Sequence, residues 1–146
     1  MLFFPSIPSY FDLFLYFCRV NRKKKLILCL GTNVEQQRNM EEAQNLLRKT
    51  VEDIAFTPSL WTDPVNTVSP QYLNCMAIGW SVMAYDDVLR MTKALERGMG
   101  RTEEARRAGL VPIDIDILLY DGEKYHLSDW GRDYVKQLLK QAEDMG

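Results

Sequence analysis

"VPIDIDILLYDG" (residues 111–122) sets two carboxylates inside an apolar run. In an extended chain successive side chains point to opposite faces. Ile113, Ile115, Ile117 and Leu119 therefore point one way, and Asp114, Asp116 and Leu118 the other. The isoleucines are expected to meet helices, which leaves both aspartates on the free face of a sheet with Cα atoms about 6 to 7 Å apart. Carboxylates at that separation can share divalent cations, which in two-metal phosphoryl-transfer sites lie about 3.5 to 4 Å apart. Magnesium suits such a pair, since it takes one or two carboxylates and fills its shell with water and phosphate oxygens. A merely solvated sheet face would also carry polar residues here, but aspartate is a poor strand former and two in succession run against that expectation.

Working outward, "KLILCLGTN" reads as a buried strand closed by Gly31. From Met40 the apolar positions Met40, Ala43, Leu46, Leu47, Val51 and Ile54 recur at helical spacing, opposite Glu41, Glu42, Arg48 and Lys49. "DIAFTPSLWTD" predicts a second strand, which Pro58 confines to an edge or a bulge. "YLNCMAIGWSVMA" predicts a third, with Gly79 a bulge or close-packing point. "YDDVLRMTKALERGMG" predicts a helix capped by Asp86, with Val88, Met91, Thr92 and Leu95 on one face and Gly98 and Gly100 at its end. "RTEEARRAGLVP" reads as a loop, and "LSDWGRDYVKQLLKQAED" as a closing helix capped by Asp129 with Trp130, Tyr134 and Leu138 in register. The order β-α-β-β-α-β is that of an α+β ferredoxin-like sandwich with an added C-terminal helix.

The chain has 146 residues, a net charge of -2 and 47% hydrophobic residues, which bound one domain with a real core. That charge argues against a protein that coats nucleic acid, and the strands lack the aromatic and basic run that an RNA-binding sheet needs. Cys18, Cys29 and Cys75 are odd in number and have no metal-ligand spacing, so free thiols in a reducing cytoplasm are expected. Residues 1–24 are aromatic first and basic afterwards, the reverse of a secretory signal, and too interrupted to span a bilayer. They are expected to form an extension outside the domain of residues 25–146, as translation from an upstream start codon would produce. No membrane and no nucleic-acid partner are expected, and the protein is expected to be a monomer.

Four segments in chain order, "LGTN" (30–33), "WTDPV" with "PQYLN" (61–74), "ALERGMGR" (94–101) and "IDIDIL" (113–118), resemble the 6-hydroxymethyl-7,8-dihydropterin pyrophosphokinase family. The resemblance covers roughly residues 26–122. It implies the ferredoxin-like fold and a cytoplasmic, ATP-dependent diphosphotransferase of folate biosynthesis. Asp114 and Asp116 then resemble the pair that holds two Mg2+ ions on the ATP phosphates, with Arg101 a catalytic, phosphate-side arginine. Thr62, Pro64, Val65, Tyr72 and Asn74 resemble the pterin pocket. Glu96, Arg101, Arg106 and Arg107 resemble the nucleotide side. Asp116 is also placed by the resemblance to help activate the pterin hydroxyl.

Each of these residues has a plainer reading: a turn-forming Asn74, a helix-surface Glu96, and an Arg101 that answers the helix dipole. The chain also departs from the family. The loop after Arg101 carries Glu103 and Glu104 where the family has cations and an aromatic, and the family's Pro-His segment is missing its proline before His126. A solvated loop histidine is expected at His126. Two functions follow: a compact pyrophosphokinase with a reduced set of cations, or a catalytically degenerate paralogue that binds pterin or acts as a regulatory scaffold.

Overall fold

The structure, a computed structural model, describes residues 7, 9–20, 22–64 and 70–145, with side chains at all of these except 18–20. The chain runs α1 (Tyr10–Val20), β1 (Lys24–Thr32), α2 (Gln36–Thr50), β2 (Glu52–Phe56), β3 (Leu60–Thr62) and β4 (Tyr72–Ser81). It continues with α3 (Tyr85–Gly98), α4 (Glu103–Arg107), β5 (Asp114–Tyr120), β6 (Glu123–Lys124), a 3-10 turn (Asp129–Gly131) and α5 (Asp133–Met145). The strands form one antiparallel sheet in the order β2-β4-β1-β5-β6, with β3 also on β4. Counting β2 and β3 as one interrupted strand, this is the β-α-β-β-α-β sandwich with α5 added.

Side-chain alternation decides which residues meet helices. Leu26, Leu28 and Leu30 of β1, Leu73, Cys75 and Ala77 of β4, and Ile115 and Ile117 of β5 pack against Met40, Ala43 and Leu47 of α2 and Val88 of α3. Gly79 is a close-packing point, because a Cβ there would stand 2.6 Å from Val51 Cγ1. Helix α2 stops at Thr50, so Ile54, placed in the helical pattern by its spacing, belongs to β2. Pro58 splits the predicted second strand, and Thr57 bridges the gap through Met76 with two hydrogen bonds of 2.9 Å.

The opposite face is free only in part. Ile27, Met76 and Leu118 pack against Val135, Leu138 and Ala142 of α5, so the closing helix covers one end of the face and leaves the Asp114 end open. Strict alternation also fails at one point. Ile27 pairs with Leu119 but Leu28 with Ile117, so Leu118 is an extra, bulged residue. Past the bulge the parity flips: Leu119 joins the α5 side and Tyr120 turns to the main core.

The predicted helix caps and the predicted loop after Arg101 are corrected. Neither Asp86 nor Asp129 caps its helix: α3 follows Ala84 without a side-chain cap, and Asp129 opens the 3-10 turn four residues ahead of α5. The predicted loop after Arg101 contains α4, whose first turn is capped by Thr102 Oγ1 accepting from the Ala105 N–H at 3.1 Å. Strand β5 is followed by one more short strand. Asp121 and Gly122, both at positive φ, turn it into a short hairpin with β6.

Candidate functional site

Register builds the site. Across three strands Asp114 pairs with Gly31 and Gly31 with Asn74, and in the next row Asp116 pairs with Cys29. The carboxylates of β5 and the amide of β4 are thus separated by a residue with no side chain. A Cβ on Gly31 would stand 3.0 Å from Asn74 Oδ1 and 3.7 Å from Tyr72 Cδ1. That gap is the floor of a cleft of about 830 Å3, lined by Gly31, Thr62, Pro64, Tyr72, Asn74, Asp114 and Asp116 and closed by Asp129, Arg132 and Tyr134 ahead of and within α5. The volume is that of a small-molecule site.

Polar contacts fix the walls. Asn74 Nδ2 donates to Thr62 Oγ1 at 2.7 Å and to the Leu60 carbonyl at 3.4 Å, which spends its hydrogens inside the protein and leaves Oδ1 over Gly31. Arg101 Nη1 donates to Asp114 Oδ1 at 2.6 Å and to Glu96 Oε2 at 3.0 Å. Glu96 is buried, and its Oε1 accepts the backbone N–H of Ile115 at 3.0 Å. From the other side, Asn33 holds the segment leading into β5. Its Nδ2 donates to the Gly109 carbonyl at 2.9 Å and its Oδ1 accepts from the Val111 N–H at 2.6 Å.

Burial and the nearby Asp114 charge push the Asp116 carboxyl up to about 6, with His126 pulling the other way. Burial, then Asp114, also raises the Tyr72 phenol. The Cys29 thiol in the cleft floor is pushed far up by burial and then by Asp116, so it is inert at neutral pH. At Arg101 burial opposes the charge, but the hydrogen bond and charge of Asp114 outweigh it and raise the guanidinium further.

Of the residues singled out from sequence, Thr62, Pro64, Tyr72, Asn74, Asp114 and Asp116 come together in the cleft, and Arg101 stands against Asp114. Val65 lies outside the described residues. Glu96 does not line the cleft; it lies buried beneath, holding Arg101 and the β5 backbone. Arg106 and Arg107 are exposed on α4 and are not among the cleft-lining residues.

Sequence reasoning missed Asp129, Arg132, Asp133 and Tyr134, which it treated as one helix. His126 is an exposed loop histidine, as expected, and its Nε2 also stands 3.9 Å from Asp116 Oδ1. One ligand atom each from Asp116, His126 and Asp129 falls within 4.8 Å of the others. The available signal was the three-residue spacing of His126, Asp129 and Arg132, which a 3-10 turn brings to one side.

Residues 27–143 match the model of the 7,8-dihydro-6-hydroxymethylpterin-pyrophosphokinase (HPPK) family. The chain is 32% identical over 127 residues to a 2-amino-4-hydroxy-6-hydroxymethyldihydropteridine pyrophosphokinase of Porphyromonas gingivalis, covering 77% of this chain and 86% of that one. It is 30% identical over 123 residues to a folate synthesis bifunctional protein of Arabidopsis thaliana, covering 77% of this chain and 25% of the relative. Against a mitochondrial folate synthesis bifunctional protein of Pisum sativum the identity is 35% over 100 residues, covering 66% of this chain and 19% of the relative. The chain thus spans about a quarter or less of the length of the plant proteins it matches.

Proposed function

The chain belongs to the 7,8-dihydro-6-hydroxymethylpterin-pyrophosphokinase family, and we propose that it transfers a diphosphate group from ATP to the hydroxymethyl oxygen of 6-hydroxymethyl-7,8-dihydropterin. The observation that carries this reading is the Asp114–Gly31–Asn74 row, which sets a phosphate-side acidic pair and a pterin-side amide on either side of one open floor. On the pterin side, Asn74 Oδ1 accepts from a ring N–H, Thr62 fixes the amide's orientation, and Tyr72 supplies an apolar wall.

Two carboxylates facing a polyphosphate repel it, so this floor binds ATP only with divalent cations between them. The residues fit Mg2+. Asp114 and Asp116 are hard oxygen donors on one face, and a bound cation would favour the charged form of the Asp116 carboxyl, which burial and then Asp114 raise. Bound there, two Mg2+ ions would supply charge neutralisation and alignment of the phosphates. The protein's own part is positioning. Glu96 and Arg101 fix the β5 edge and Asp114, Arg132 presents a cation at the cleft wall, and Asn74 holds the pterin so that its hydroxyl meets the β-phosphorus in line. Cytoplasmic, monomeric operation belongs to the same reading.

The test is calorimetric titration of the full chain with a non-hydrolysable ATP analogue, with and without Mg2+, beside a turnover assay with the dihydropterin. Mg2+-dependent binding lost in Asp114→Asn/Asp116→Asn, together with turnover in the unsubstituted protein, supports the reading. The exposed position of Arg106 and Arg107, away from the cleft, favours the second reading of a degenerate paralogue. Pterin binding without any turnover would select it.

A further inference from the structure

Helix α1 holds Tyr10, Phe11, Leu13, Phe14, Tyr16 and Phe17 in solvent, with Tyr10 93% and Phe14 62% exposed. Its start is well built. Ser9 Oγ accepts the Asp12 N–H at 3.1 Å while Asp12 Oδ2 accepts the Ser9 N–H at 3.3 Å, a reciprocal cap that occupies the one carboxylate of the segment. At about 100° per residue these apolar positions cover a broad arc of about 220°, with Asp12 on the remaining side. A protein groove reads a narrow stripe, whereas a broad aromatic face opposite a polar side suits the boundary between lipid headgroups and acyl chains.

Eleven residues rise about 16 Å, half a bilayer core, and no helix of the described residues is long and apolar enough to cross a membrane. Shortly after the helix come Arg22, Lys23, Lys24 and Lys25 with no acidic residue between them. A cationic run joined to an exposed apolar helix complements anionic headgroups. Arg22 pairs with Asp121 at 2.7 Å and Lys23 with Glu52 at 3.0 Å, both on the surface, which anchors the exit of α1 where β1 begins. Such exposed pairs are weak and exchange readily for headgroups. Lys24 lies seven residues along β1 from Gly31, or about 24 Å, so a surface docked at α1 leaves the cleft open at the far end of the sheet.

We propose that α1 and the cationic run behind it dock this protein on an anionic membrane surface, with the helix lying in the headgroup plane. This departs from the expectation of no membrane partner. It rests on α1 and the cationic run and is independent of the catalytic reading.

The experiment is co-sedimentation of the full chain with phosphatidylcholine vesicles and with vesicles carrying about 30 mol% phosphatidylserine. The comparison is a Phe14→Glu/Phe17→Glu variant whose thermal melt shows the domain intact. Pelleting with the anionic vesicles that weakens in high salt and falls at least about tenfold in the variant is the expected result. No pelleting, or equal pelleting of the variant, overturns the proposal. A dimer that the variant converts to monomer, with no vesicle binding by either, overturns it in favour of a seam between two copies.

Discussion

The Glu96 carboxylate accepts the backbone N–H of Ile115 at 3.0 Å, in the gap between Asp114 and Asp116. Strand β5 pairs with β6 only at Leu119 and Tyr120, so at Ile115 its outer edge has no strand partner, and a side chain from α3 takes that place. The same carboxylate holds Arg101, which holds Asp114. Glu96→Ala leaves a buried N–H unsatisfied and a half-buried arginine with one partner, and is expected to cost about 2–3 kcal/mol in urea unfolding. Glu96→Gln keeps an acceptor for Ile115 and loses the charge, so it should recover part of the stability while Mg2+-ATP affinity stays reduced. Equal stability of all three proteins would remove Glu96 from this role.

Asp116 makes stability depend on pH in a direction opposite to most carboxylates. Its folded carboxyl sits at about 6, above the unfolded value near 4, so the folded state is the stronger proton binder. The contribution of the neutral form is complete below pH about 4 and is lost as pH rises through about 6. Without divalent cations, the melting temperature of Asp116→Asn should therefore exceed that of the parent at pH 7 and match it near pH 4. Mg2+ should close the gap at pH 7 by stabilising the parent alone. Parallel melting curves across this range would show that the pair carries no such strain.

Helices α2, α3 and α5 and the shared face of Asp114 and Asp116 were legible because they follow from period-3.6 and period-2 patterning, which needs only local sequence. Leu119 was misplaced because the bulge at Leu118 depends on the register with β1, and nothing local announces it. Asp86 and Asp129 were read as caps on residue type, but Ala84 and the 3-10 turn set those helix starts. Glu96 was identified and its contact was not, since a helix residue meets the edge of β5 only after the sheet has formed. The cleft wall from Asp129 to Tyr134 was hidden for a similar reason: an apolar helical pattern tells that α5 packs, not that its approach bends over the sheet's open end.

Gly31 is where a single methyl separates stability from function. Its φ does not lie in the left-handed region, so alanine is compatible with the strand backbone. The added Cβ would stand 3.0 Å from Asn74 Oδ1, which must yield by a few tenths of an ångström and lose its aim into the cleft. Gly31→Ala is expected to raise the KM for the dihydropterin about tenfold, with the KM for ATP and the melting temperature nearly unchanged. A matching loss for both substrates would mean that the whole floor had moved.

Arg132 is the only cation among the described residues that line the cleft, and it stands where the predicted phosphate-side cations, Arg106 and Arg107, do not. Asp129 Oδ1 stands 3.2 Å from its Nε, which orients the guanidinium without neutralising a buried group, since the Arg132 side chain is 49% exposed. Phosphate oxygens recruit such a planar donor through paired, charge-assisted hydrogen bonds. Arg132→Ala should raise the KM for ATP about tenfold and leave pterin affinity intact, and Arg132→Lys should restore less than half of the lost binding energy because a point charge cannot pair with two oxygens. Asp129→Asn tests the orienting contact separately: it should lower ATP affinity by a smaller factor, with the charge at Arg132 still present. If Arg132→Ala left ATP binding untouched, the phosphates would have to enter along the Arg101 side, with Asp114 giving up its guanidinium partner to admit them.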